Sequence, residues 1–316
     1  MADADVGSLG VKDLRALISK AGLRHDDCLE LPDLRQRARE AQARLKVSPP
    51  DGASAPDPAG RAGGGKHTAK RDHLAGYECT LQGPAGVLQG GKKADLVVIF
   101  LHGFGASNSD FDSLPDMLGL TAPEASLSIL WVFPQAPVGN MFVPAWWTID
   151  VMQWMGAMQA GEGSIAKLIR DSPPGLPECR ASMLRLVAEA RARAGGVDAS
   201  RVVIGGFSQG AMTALDTALS MPDGQRVGGV VSVSGAPIVV EEWSKKLAAH
   251  RGLPVLVTHG TADSTLPFVV SGWLEEFLKH NGAAVDKVVH DGGHTLGPPN
   301  SVGSAIRRFI LKAGAV

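Results

Sequence analysis

The sequence predicts an α/β protein, a mostly parallel, doubly wound sheet, with a small helical module ahead of it. Three observations carry this. Short runs rich in Val, Ile and Leu recur without polar alternation, as strands covered on both faces require. Helix-like stretches separate most of these runs, the rhythm of βαβ units. One run, Val202–Phe207, leads through an isolated serine flanked by glycines directly into a helix-like stretch.

The chain has 316 residues with 44% hydrophobic content, enough for one large domain plus an appendage. With 31 basic and 32 acidic residues the net charge is −1, which leaves no footprint for nucleic acid or an anionic membrane. The three cysteines, Cys28, Cys79 and Cys179, are too scattered for a disulfide framework or a zinc set, and fit a reducing, cytoplasmic setting. No run approaches the ~18 apolar residues of a membrane span, and no secretory signal is visible at Met1–Gly10.

Taken in order, residues 1–46 carry two apolar helix faces. Val11, Leu14, Leu17 and Ile18 mark one, Leu31, Leu34, Ala38, Ala41 and Leu45 the other, with Gly22 closing the first helix and Pro32 opening the second. Residues 47–73 begin as a Pro-, Gly-, Ala- and Ser-rich stretch that cannot bury enough surface to fold, and read as a flexible linker. The catalytic domain is expected over 74–316, with strands at 96–101, 128–133, 202–207, 229–234, 254–259 and 285–290. Between the second and third of these lies a Met-rich insert, 151–177. Its Met152, Trp154, Met155 and Met158 suit either an adaptable acyl groove or an ordinary core face.

Ser208, in Gly206-Phe207-Ser208-Gln209-Gly210, has the setting of a nucleophile elbow. The flanking glycines remove the Cβ atoms that would collide where strand and helix cross. The Gln209 N–H, at the helix start, suits an oxyanion. A serine nucleophile needs a base and an acid to orient it, here expected in the order serine, acid, histidine after later strands. Asp263 follows the 254–259 run and His294 the 285–290 run. Among rivals, His290 falls within a strand, His259 ends one, and His280 follows a helical segment. Asp291 is too near His294 in sequence, and Asp216 lies two turns into the helix behind Ser208. A second oxyanion donor is expected after the first core strand, at Phe104 between Gly103 and Gly105.

These motifs resemble the acyl-protein thioesterase, lysophospholipase and carboxylesterase group of the phospholipase/carboxylesterase family, on the α/β-hydrolase fold. The matching segments are Phe100–Gly105, Phe133–Pro137, Ala145–Asp150, Gly205–Gly210, and His259-Gly260 with Asp263, Pro267 and His294, together spanning about 75–313. The chain departs from the family pattern at Ala211, where a glycine is usual, and at Gly292-Gly293 before the histidine. The resemblance implies a serine hydrolase of acyl thioesters or carboxylic esters, acting on acylated protein or a small acyl ester, with Ser208, Asp263 and His294 as triad and Phe104 and Gln209 as oxyanion donors. No cofactor or metal is implied. Trp146, Trp147, Met155 and Met158 are expected at the substrate. The competing expectations are a general small-ester carboxylesterase and an inactive hydrolase-fold interaction protein. The stretch 9–46, through Val11–Leu17 and Asp26–Glu30, is similar to SAP-like modules. Its near balance of charge points to a protein partner rather than DNA.

Overall fold

The computed structural model describes residues 6, 14, 17–18, 37–39, 41–42, 67–121, 127–139 and 142–315. The chain divides into two compact units, 1–63 and 64–316. In the first, Leu14, Leu17, Ile18, Ala38 and Ala41 are helical and buried in one cluster with Val6. Val11, Leu31, Leu34 and Leu45 lie outside the described residues.

The second unit is built on an eight-stranded sheet. Its strands are β1 (His67–Leu74), β2 (Tyr77–Pro84), β3 (Leu96–Leu101), β4 (Ile129–Pro134), β5 (Val202–Phe207), β6 (Gly229–Val233), β7 (Pro254–Gly260) and β8 (Ala284–His290), ordered β1-β2-β4-β3-β5-β6-β7-β8. The six from β4 to β8 run parallel; β1 and β2 add an antiparallel edge. Each expected strand appears within a residue or so of its expected place.

Both sheet faces are covered, which is why the strand sequences do not alternate with polar residues. In β3, Val97, Ile99 and Leu101 join one core, and Leu96, Val98 and Phe100 the other. The first core packs beneath the helices Leu176–Arg193, Gln209–Leu219, Val240–Leu247 and Val269–His280, the second beneath Ser304–Gly314. Asp216 proves structural. Buried on its helix, it takes two hydrogen bonds from Arg180 (2.8 and 2.7 Å) and one from the Trp243 indole (2.9 Å), tying three helices together.

One expectation needs correction. Residues 67–73, read as linker, form most of β1. The strand is polar and largely exposed because it lies at the sheet edge, so no apolar run marked it. Its hairpin turns on Ala75 (φ 52°) and Gly76 (φ 88°), the left-handed pair that a two-residue loop demands. The Met-rich insert is two helices, Val151–Ala160 and Glu162–Leu168.

Candidate active site

Parallel strands put the ends of β3, β5, β7 and β8 at one sheet edge, and every residue of the expected triad follows one of them. Ser208 sits between β5 and the Gln209–Leu219 helix at φ 55°, ψ −119°. Such a backbone is strained for a residue with a Cβ and persists only where its surroundings impose it. The imposition is close packing. A Cβ on Gly206 would lie 2.4 Å from the carbonyl carbon of Gly210, and one on Gly210 would lie 2.2 Å from the Leu101 oxygen. The Ser208 N–H is held by Val233 O at 2.9 Å. Ala211, where a glycine is usual, is accommodated by Gly235: a Cβ there would come 2.9 Å from that of Ala211.

Asp263 and His294 meet as expected: Nδ1 of His294 is 2.7 Å from Oδ2 of Asp263. Facing a carboxylate, Nδ1 carries the proton, which leaves Nε2 with its lone pair free to act as a base. Oδ1 of Asp263 accepts the N–H groups of Thr265 (2.9 Å) and Leu266 (2.8 Å). Burial opposes ionisation of Asp263, but hydrogen bonding from His259 and His294 and the Leu266 amide outweighs it and holds the carboxyl well below the usual carboxylate range. The acid and histidine loops touch backbone to backbone. A Cβ on Gly260 would be 2.1 Å from Gly292 O, and the Ala262 N–H donates to that same oxygen at 3.1 Å. The Gly292-Gly293 departure thus lies where the two loops cross. The His294 ring rests on Phe207, next to Ser208, with centroids 4.7 Å apart.

The loop carrying Phe104 packs on the elbow: a Cβ on Gly103 would be 3.1 Å from the Phe207 ring and 3.4 Å from the Ser208 Cβ. Among the described residues, neither the Phe104 nor the Gln209 N–H donates to a backbone carbonyl. Both are therefore free to receive a developing oxyanion.

Sequence reasoning assigned no role to the side chains that fix these loops. Buried His102 accepts the Ala136 N–H on Nε2 (3.0 Å), so its proton is on Nδ1, which donates to Gly103 O (2.8 Å). Burial pushes this ring below the ordinary imidazole range, against the pull of the Gly103 carbonyl, and keeps it neutral. The Gln209 side chain brackets the Trp146-Trp147 pair, accepting the Trp146 N–H (3.1 Å) and donating to Trp147 O (2.7 Å). The only sequence signal for these roles was a His-Gly pair and a glutamine beside the serine.

Trp146 and Trp147 are buried and anchored, their indoles donating to His102 O (2.7 Å) and Thr213 Oγ1 (3.1 Å). Together with Phe104, Val143 and Ile149 they line a pocket of about 170 Å³. Met155 and Met158 do not. Met155 is on the surface, 46% exposed, and Met158 packs against the core. Of the four residues expected at the substrate, Trp146 and Trp147 line this pocket and the two methionines lie on the separate helix Val151–Ala160.

The phospholipase/carboxylesterase family profile matches residues 83–311. The acyl-protein thioesterase 1 of Eremothecium gossypii is 32% identical over 214 residues, 65% of this chain and 83% of that protein. The Saccharomyces cerevisiae acyl-protein thioesterase 1 is 30% identical, over 54% of this chain and 71% of its own length. Among solved structures, a Mesorhizobium loti carboxylesterase superposes with a TM-score of 0.55 at 19% identity, covering 77% of this chain and 98% of that one. Arabidopsis thaliana SOBER1 superposes at 0.52 and 21%, covering 69% and 98%. The matched residues contain the whole elbow and both loops behind it, and the chain belongs to the phospholipase/carboxylesterase family of α/β-hydrolase-fold serine hydrolases.

Proposed function

We propose that Ser208, His294 and Asp263 act as a catalytic triad that hydrolyses acyl thioesters or carboxylic esters, with S-acylated protein or a small acyl ester as substrate. The observation that carries this is the 2.7 Å His294–Asp263 contact beside a serine held at φ 55° on a helix N-terminus. His294 Nε2 takes the hydroxyl proton as Ser208 Oγ attacks the acyl carbon. The Phe104 and Gln209 amides receive the oxyanion, and the helix dipole adds to their pull. His294 returns the proton to the leaving thiolate or alkoxide. Water, activated by the same ring, then releases the acid from the acyl-enzyme. Asp263 keeps the ring in the required tautomer and stabilises its charged form.

The pocket beside Phe104 suits the acyl chain, and we assign Trp146, Trp147 and Ile149 to it. Residues 9–46 serve in this reading as a contact for a protein partner. A cytoplasmic site of action fits the buried, unpaired Cys79 and Cys179. Among the described residues, no helix is long and apolar enough to cross a membrane. Paired thioesters and oxygen esters of matched acyl chain test the substrate class. A kcat/KM that favours the thioesters beyond their leaving-group advantage supports the acyl-protein reading; equal or better turnover of oxygen esters points to a general carboxylesterase.

A further inference from the structure

His259, which reads in the sequence as the bland end of a strand, stands behind the proposed catalytic acid. Its ring is fully buried. Nε2 lies 2.9 Å from Leu266 O and 3.3 Å from Asp263 Oδ2, the oxygen that faces His294. The carbonyl is the closer acceptor and the carboxylate a second one. Nδ1 is buried with no partner, so the proton belongs on Nε2; a proton on Nδ1 would be an orphaned donor. The contacts close a short circuit. His259 holds the Leu266 carbonyl, and the Leu266 N–H holds Asp263 Oδ1 at 2.8 Å.

We infer that His259 is a positioning residue for the acid: its Nε2–H fixes the 263–266 turn and shares Oδ2 with His294, setting both the direction and the strength of the Asp263–His294 hydrogen bond. The inference rests on the triad reading above. Other titratable groups near the ring are His290 on β8, which burial first and the neighbouring His259 second push below the ordinary imidazole range, and Lys287, whose ammonium sits 5.2 Å over the Phe268 ring. That phenyl ring lies 6.2 Å from the His259 ring. Asp291 is exposed on the far loop.

Two substitutions separate positioning from packing. His259→Gln puts an amide N–H near the Nε2 position, whereas His259→Asn puts one near Nδ1, short of Leu266 and Asp263. We expect His259→Asn to lose about 10-fold or more in kcat/KM, as a small misplacement of a catalytic group does. Its acid limb should also move to higher pH, because a carboxylate no longer shared with His259 stabilises the His294 imidazolium more strongly. His259→Gln should stay within a few-fold of the wild type with its limb in place. Equal behaviour of the two variants, or a loss in His259→Asn with an unmoved limb, overturns the inference. If His259→Asn does not fold, His259→Gln decides alone: near-wild-type turnover with the limb in place supports it, and a 10-fold loss overturns it. Fluorophosphonate labelling of Ser208 is run on all three proteins. Failure of the unsubstituted enzyme to label overturns the triad reading itself, which keeps the two failures distinct.

Discussion

At the scale of single residues the account depends on three side chains from loops far apart in sequence. Because a triad acts as one unit, Ser208→Ala and His294→Ala should each lower kcat by about 10³-fold or more, and the double variant should be little worse than either. Asp263→Asn should cost less than either. Activity equal to wild type in Asp263→Asn, with loss in Asp291→Asn, would move the acid to the exposed loop. Asp263 also makes a pH statement. Its carboxyl is held low in the folded state, so its ionised form contributes stability that is complete above the unfolded value of about 4 and is lost as pH falls through the folded one. The Tm gap between wild type and Asp263→Asn should therefore be widest near neutrality and shrink towards pH 2; a gap constant over that range contradicts the assignment. The positions of Ser208, Asp263 and His294 after β5, β7 and β8 were legible in the sequence because unbroken apolar runs mark those strand ends. The holders His102, Gln209 and His259 were not. A buried histidine with a carbonyl partner and one beside a carboxylate have the same letter, and only the fold says which oxygen each one meets.

At the scale of elements the elbow works because strand, turn and helix touch through glycine. Gly206→Ala places a Cβ 2.4 Å from the Gly210 backbone. It should cost about 1–3 kcal/mol in urea denaturation, as overpacking does, and it should lower kcat with it; wild-type stability would mean that strand and helix can part freely. The tryptophan loop gives a second expectation. A pocket of about 170 Å³ is comparable to cavities that hold a six-carbon ring, so kcat/KM should rise from acetyl over on the order of six carbons, by up to ~0.8 kcal/mol per methylene, and then level off. Ile149→Trp should flatten the rise while sparing acetyl esters, and Met155→Ser should leave it intact; a profile lost in Met155→Ser instead would return the groove to the insert. The six parallel strands were readable because burial on both faces leaves an unbroken apolar run. The β1–β2 hairpin was not, since an exposed edge strand such as His67–Leu74 is written in polar residues that composition alone assigns to a linker. The insert left two readings open for a different reason: methionines at helical spacing mark an apolar face without saying whether substrate or protein covers it.

At the scale of the whole molecule the sheet and its loops form one compact unit, 64–316, apart from residues 1–63. Deleting 1–63 keeps β1 whole and should leave kcat and KM on a soluble short-chain ester within about twofold, because all residues of the proposed triad and oxyanion site lie in the 64–316 unit; a many-fold fall in kcat in the folded truncation would make the N-terminal unit part of the active site. In the proposed reaction the acyl group passes through a covalent intermediate on Ser208. This is tested most directly by labelling the full chain with a fluorophosphonate and locating the adduct by peptide mass spectrometry. We expect stoichiometric modification of Ser208 alone, abolished in Ser208→Ala and strongly slowed in His294→Ala. A folded protein that takes up no label, or takes it up at another residue when Ser208 is replaced, would contradict the account.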